Sequence, residues 1–292
     1  MIEGRPLRIA IASGKGGTGK TFVATHLAAW LSRYQETLLV DLDVEEPDDH
    51  LFIKGKVQSV TDQNRMIPVW DESRCTLCGL CSTVCKYHAV IRLDNEIAVF
   101  NKLCHSCYAC SELCPAGALP MQKHKTGEIR KIVAERLTLI EGRLTIGEEQ
   151  AVPLIHQTQE VARLEYSHVP MQFFDCPPGT SCPVIAATKN ADYVILVTEP
   201  TPFGLHDLSL AARTMQLLQK PFGVVINRDG IGNEEVETFC SHEQIPVITK
   251  IPMDRRIADC YSRGELVYQR GDSFSSSFSE IINYLKRKCA PR

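Results

Sequence analysis

The sequence lacks what crossing or leaving a membrane would require. No apolar run approaches the roughly 20 residues needed to span a bilayer, and the N-terminus carries no charged-then-apolar leader. Excess positive charge is missing too: 32 Lys+Arg stand against 35 Asp+Glu, a formal −3, so no global cationic field is available to grip nucleic acid or anionic lipid. A cytoplasmic location is expected, with no nucleic-acid partner and no stable membrane association. Aromatic residues are few, but 44% apolar and 23% charged residues are the mix of a folded globular chain, which excludes wholesale disorder. At 292 residues, one large domain or two can be built.

Cysteine, by contrast, is plentiful and unevenly spread. Eight of the 13 lie between Cys75 and Cys114. A disulfide scaffold would be a small exported protein with cysteine throughout; a dense local group in a chain without an export signal reads as reduced thiols that ligate metal.

Outside that group the pattern alternates strand and helix. Leu7–Ala12 is a short apolar run that meets a glycine-rich turn, Gly14–Gly19, and from Lys20 onward Val23, Leu27, Ala28 and Leu31 recur at helical spacing. Thr37–Asp43 is a second apolar strand ending in carboxylates. Near-continuous apolar stretches follow at Met171–Asp175, Tyr193–Thr198, Phe222–Asn227 and Val247–Ile251, separated by helical stretches such as Leu205–Leu218 and Glu234–His242. Strands buried on both faces read this way, so the expected fold is α/β, a doubly wound, mostly parallel sheet with ligands beyond the carboxyl ends of its strands. Residues 127–147 read as two antiparallel strands returning to that sheet.

Gly14-Lys15-Gly16-Gly17-Thr18-Gly19-Lys20-Thr21 fits G-x-x-x-x-G-K-[ST], placed after a strand and before a helix. The glycines let backbone N–H groups curl around phosphates, and the helix N-terminus adds its positive end. Lys20 is expected to reach the β- and γ-phosphates of ATP, and the Thr21 hydroxyl to ligate Mg²⁺.

The string KGGTGKT resembles the deviant Walker A group of P-loop ATPases, which includes MinD, ParA, the Mrp-type iron–sulfur carriers and the nitrogenase iron protein. That resemblance implies that Lys15 crosses a dimer interface to the partner's nucleotide, so the ATP-bound form is a sandwich dimer, of this chain or with a paralogue. It implies that Asp43 orients the attacking water with Asp41 supporting Mg²⁺, and that Asp175, in Asp175-Cys176-Pro177-Pro178-Gly179, binds Mg²⁺ in the second switch. It also implies that Asn227 reads the adenine edge while Pro252 and Asp254 enclose the base. Lys15, Lys20 and Asp43 are the implied catalytic residues.

Cys75-x2-Cys78-x2-Cys81-x3-Cys85 and Cys104-x2-Cys107-x2-Cys110-x3-Cys114-Pro115 each match the bacterial ferredoxin run. Three thiolates in one tight loop can cap three irons of a cube, while the fourth, already turning into the next helix, points at the other cube. One 4Fe–4S cluster would use Cys75, Cys78, Cys81 and Cys114; the other Cys104, Cys107, Cys110 and Cys85. Zinc competes, because paired C-x2-C elements also build tetrahedral sulfur sites; the overlapping four-cysteine runs and Pro115 favour iron. Lys86 replaces the usual proline after the first run. The whole resembles MinD-like ATPases with an inserted ferredoxin domain: residues 1–65 and 126–292 as the ATPase, 66–125 as the insert.

Three roles compete on this reading. Hydrolysis could gate low-potential electron transfer to a redox acceptor. The chain could instead deliver clusters or metallocofactors to apo-protein clients, although no C-x-x-C lies outside the insert; or it could be a spatial organiser with redox-sensing clusters. Cys182, seven residues past Asp175, is read as a buried structural thiol, with a bridging metal at the dimer axis as the alternative. Cys176, Cys240, Cys260 and Cys289 have no ligand spacing. Phe274, Phe278, Ile281, Ile282 and Leu285 form an apolar helical face expected to pack on the sheet.

Overall fold

The apolar runs become strands because each can be covered on both faces, and the computed structural model describes residues 5–270 and 275–289. In chain order, β1 (Leu7–Ala12) leads through the glycine loop into α1 (Lys20–Ser32), then β2 (Thr37–Asp41). Next come β3 (Lys56–Pro68), α2 (Leu80–Val84), β4 (Val90–Arg92), β5 (Ile97–Val99), α3 (Ala109–Glu112) and β6 (Met121–Ala134). The chain returns through β7 (Leu137–Leu144), α4 (Ala151–Glu165), β8 (Met171–Asp175), α5 (Cys182–Thr188) and β9 (Tyr193–Thr198). It finishes with α6 (Pro202–Leu217), β10 (Phe222–Asp229), α7 (Glu235–His242), β11 (Val247–Pro252), α8 (Arg255–Ser262) and α9 (Ser275–Lys288).

Nine strands form one sheet in the order β11-β10-β9-β1-β8-β2-β7-β6-β3. The seven from β11 to β7 are parallel, and β6 and β3 are antiparallel additions. Alternate residues of each parallel strand feed opposite layers: Ile9, Ile11, Leu39 and Phe173 pack with α1 and α9, while Ala10, Ala12, Val40 and Phe174 pack with α4, α5 and α6. Phe278, Ile281, Ile282 and Leu285 are buried on α9 as expected; Phe274 lies outside the described residues. Among the described residues no helix is long and apolar enough to cross a membrane.

Two strand assignments change. β2 stops at Asp41, so Asp43 sits in the following loop rather than at a strand end, because the Asp41 carboxylate draws the Asp43 N–H to itself at 3.0 Å and turns the chain. The expected pair over 127–147 is β6 and β7, but β6 begins at Met121 and pairs along its other edge with β3. Residues 65/66 and 125/126 therefore fall inside β3 and β6, a two-stranded arm whose ladder continues in Val69 N–H to Pro120 O (2.9 Å) and Asp71 N–H to Ala118 O (2.9 Å). Beyond the arm lie the cysteines, α2, α3 and the separate two-stranded sheet of β4 and β5.

His26, in the middle of α1, is fully buried. Its Nδ1 lies 2.8 Å from Phe22 O, and its Nε2 accepts from Val267 N–H at 3.0 Å. That pairing requires the neutral ring, and burial pushes its pKa down to about 3. Below the unfolded pKa of about 6.5 only the unfolded chain takes the proton, so stability falls as pH drops. Between pH 7 and 5 the expected loss from this group is about 2 kcal/mol. Urea unfolding at the two pH values checks it, and His26→Gln should flatten the dependence by that amount.

Candidate nucleotide site and cysteine cavities

Because β1, β8 and β2 lie side by side and parallel, their carboxyl ends coincide: Asp175 pairs in register with Ile11 on one side and Asp41 on the other. The phosphate loop and α1 rise from the same edge. Gly19 sits at φ +92° as the N-cap of α1, and a Cβ there would lie 2.1 Å from Asn227 Nδ2. Asn227 donates to Thr18 O at 2.8 Å, so the end of β10 braces the loop from beneath. At Gly14 a Cβ would meet the Asp207 carbonyl at 2.2 Å.

Lys20 is the centre of the charge. Its Nζ is 2.9 Å from Asp175 Oδ1 and 3.7 Å from Asp43 Oδ2, and the Thr21 hydroxyl donates to Asp175 Oδ2 at 2.8 Å. Burial alone would lower the Lys20 pKa; Asp175, Asp43 and Asp41 outweigh it and hold the ammonium charged well above its usual range. Burial pushes the Asp43 carboxyl up to about 6 against the pull of Lys20. A cleft of about 540 Å³ opens over these groups, lined by Gly16, Gly17, Gly19, Lys20, Thr21, Asp43, Asn227, Pro252 and Asp254 among others. A nucleotide fits it: the cleft joins a backbone cradle and an ammonium at one end to Pro252, Met253, Ile257 and Tyr261 at the other. Thr18 Oγ1, buried in the loop, has no hydrogen-bond partner.

Lys15 is not among the residues lining that cleft. Its Nζ is instead 3.2 Å from Glu199 Oε1 and 3.9 Å from Asp207 Oδ2, beside the Phe203 ring. Asp254 spends its carboxylate as the cap of α8, accepting from Arg256 N–H at 2.7 Å. Asp41 is buried, and its two oxygens accept from the N–H groups of Asp43 (3.0 Å) and Asp49 (3.2 Å). Sequence reasoning missed Asp49, which is fully buried beside Asp41 and Asp175. The run Glu45-Glu46-Pro47-Asp48-Asp49 holds four acids, and nothing in it singles out the inward one. Cys182 is exposed at the first turn of α5, which corrects the expectation of a buried thiol: the loop after Asp175 carries it to the surface. Cys176, Cys240 and Cys260 are buried.

The eight clustered cysteines line two small cavities. Cys75, Cys78, Cys81 and Cys114 border one; Cys85, Cys104, Cys107 and Cys110 border the other. Each set takes three residues from one run and the fourth from the other. The loops repeat each other in detail. Leu77 and Ser106 both adopt φ +53° and donate N–H to the first sulfur of their run at 3.4 Å. Ala89 and Ala118 likewise donate to Cys85 and Cys114 Sγ at 3.2 and 3.3 Å. Burial raises the Cys110 thiol to about 11, with the other three sulfurs of its cavity adding to the shift. His105 stacks on Tyr87 at 3.7 Å between ring centroids, against the second cavity.

The CobQ/CobB/MinD/ParA nucleotide-binding domain family matches residues 9–267. The chain belongs to this family. Among its relatives, the uncharacterized protein MJ0579 of Methanocaldococcus jannaschii is 28% identical, covering 95% of this chain and 97% of its own. The uncharacterized ATP-binding protein MJ0547 of the same organism is 24% identical over 88% and 78%. Among solved structures, MinD of Pyrococcus horikoshii bound to Mg-ADP has TM-score 0.59 at 17% identity over 98% of each chain. The Pyrococcus furiosus cell division ATPase MinD has TM-score 0.57 at 18% identity, covering 96% of this chain and 98% of its own. These two likenesses establish the MinD-like fold. As in the MinD/ParA family generally, this is a nucleotide-binding P-loop domain.

The loop geometry gives a direct test. Gly19→Ala forces a methyl into Asn227 and a strained backbone, a cost of about 1–3 kcal/mol. ADP affinity should fall at least roughly tenfold by calorimetry, equivalent to about 1.4 kcal/mol. An unchanged affinity would show that the loop does not hold the phosphates.

Proposed function

We propose that the protein is a Mg-ATP-hydrolysing switch, dimeric when ATP is bound, that carries two 4Fe–4S clusters and couples its nucleotide state to low-potential electron transfer. One observation carries the reading: a P-loop site and two four-cysteine cavities, each completed by the other run, share one chain.

Lys20 holds the β- and γ-phosphates, and the loop N–H groups cradle them. Thr21, Asp43 and Asp175 hold Mg²⁺, with Asp41 behind them. Asp43 orients the attacking water, Asn227 fixes the loop under the adenine end, and Pro252 and Asp254 border the base. Lys15 leaves Glu199 and reaches the partner's nucleotide when two copies close on ATP. A cation supplied in this way stabilises charge developing in the transition state. Residues 66–125 form the insert. Cys75, Cys78, Cys81 and Cys114 hold one cluster, and Cys104, Cys107, Cys110 and Cys85 the other; bound there, the clusters supply one-electron redox couples.

The two overlapping four-cysteine runs, with Pro115 after the second, support iron over zinc.

The decisive experiment loads anaerobically purified, reduced protein with ATP and follows a low-potential acceptor dye together with released iron and sulfide. Acceptor reduction with the clusters retained is the expected result. Iron and sulfide leaving the protein would replace electron transfer by cluster delivery, and ATP-dependent binding to vesicles or DNA with neither output would point to an organiser. Zinc in place of iron would overturn the cluster assignment. For the nucleotide half, Lys15→Ala should retain ADP binding yet lose ATP-dependent dimerisation and about a thousandfold in phosphate release. Full hydrolysis by that variant would remove the trans-acting role.

A further inference from the structure

Beneath the phosphate loop, three carboxylates converge where the nucleotide cleft does not reach. Asp41, Asp49 and Asp175 each offer an oxygen within 4.8 Å of the others, and their exposures are 1%, 0% and 1%. Asp175 is partnered by Lys20 and Thr21, and Asp41 by two backbone N–H groups. Asp49 is different: both its oxygens are buried and neither has a hydrogen-bond partner. A buried carboxylate in that condition is costly, because water is lost and nothing replaces it.

Lys20 is the ammonium against the triad, and it also serves Asp43. Arg130 and Arg143, at 3.1 Å each, are paired with Glu141 instead. Two buried, unpartnered carboxyl oxygens beside two further carboxylates leave room for a cation, and an all-carboxylate donor set suits a hard divalent ion such as Mg²⁺ or Mn²⁺ rather than zinc or copper.

We propose that Asp41, Asp49 and Asp175 form a second divalent-cation site, filled without nucleotide and separate from the Mg²⁺ that ATP brings to Thr21. Asp175 stands between the two positions, with its oxygens turned to Lys20 and Thr21 on the cleft side. Asp41 then belongs to the deeper ion. Loss or gain of that ion would set the position of the loop from Asp43 to Asp49, which lies directly on it.

Mn²⁺ is the probe. Free Mn²⁺ is counted by its paramagnetic resonance signal as it is titrated into anaerobically purified protein stripped of nucleotide. Wild type should take up one equivalent more than Asp49→Asn, or bind it at least roughly tenfold more tightly. Thr21→Ala should keep that equivalent, since the nucleotide's cation is the one that needs the hydroxyl. Mn²⁺ should also raise the melting temperature of nucleotide-free wild type and not that of Asp49→Asn. Asp41→Asn provides an independent deletion should Asp49→Asn fold poorly. No uptake by wild type, uptake by Asp49→Asn and Asp41→Asn equal to that of wild type, or loss in Thr21→Ala would each overturn the proposal. ADP binding, measured on the same preparation, reports separately on the nucleotide reading: protein that binds ADP and takes up no Mn²⁺ sinks the second site alone.

Discussion

The architecture depends on a buried ammonium set among carboxylates. Parallel pairing of β2 with β8 puts Asp41 and Asp175 opposite each other at one sheet edge. Two carboxylates so placed repel, and burial increases the cost. Lys20, delivered by the first turn of α1, joins the cluster at 2.9 Å from Asp175 and makes that edge tolerable. The glycine loop's path, its bracing by Asn227 and the burial of α1 around His26 all serve to put one side chain there. Removing one partner of a buried ion pair typically costs about 3–5 kcal/mol because it strands the other. The phosphate loop and the carboxyl end of β8 are therefore bound to each other through Lys20, Thr21 and Asp175.

A second buried charge extends this logic outward. Glu141 on β7 pairs in register with Asp41 and binds His50, Arg130 and Arg143. Arg130 belongs to β6, one strand of the arm that holds up the cysteine loops. Further along, Arg65 on β3 donates to the carbonyls of Cys104 and Asn101 and to Glu148. Gln150, just before α4, donates to Lys102 O and Cys104 O at 2.8 and 3.1 Å. On α4 itself, Gln159 donates to Ala186 O and Ala187 O of α5, the helix that follows Asp175 in the chain. Contiguous strands, ion pairs and one helix thus connect the nucleotide edge to the loop of Cys104.

What could be read from the sequence was local or periodic. The phosphate loop is eight contiguous residues, and its mechanism dictates the flanking strand and helix. The parallel strands are legible because burial on both faces leaves an apolar run with few alternatives. Cysteine spacing is local in the same sense, and around the two cavities the eight thiols sort four and four. β3 was invisible because Lys56-Val57-Gln58-Ser59-Val60-Thr61-Asp62 is an edge strand with most side chains exposed, so no apolar periodicity is required of it. Asp49 was invisible because its role comes from where a loop folds back, and a run of acids gives no sign of which one turns inward. The burial of Cys182 was misjudged for the same reason: the path of the loop after Asp175 sets it, and composition does not.

The cysteine loops hold a last piece of reasoning in their backbones. Leu77, Ser106 and Tyr108 all adopt left-handed conformations, at φ +53°, +53° and +65°. Each costs of order 1–3 kcal/mol for a residue with a side chain, and glycine, as used at Gly79, would relieve it. Leu77 and Ser106 hold matching positions of the two runs, so their strain is not accidental to one turn. What it achieves is direction: Leu77 and Ser106 aim their N–H groups back at the sulfur two residues earlier. N–H groups aimed at sulfur stabilise a thiolate and do little for a thiol. In a loop that held only neutral thiols, that strain would go uncompensated. Were the sulfurs held as thiolates, as the proposed clusters require, the same bonds would offset part of the strain.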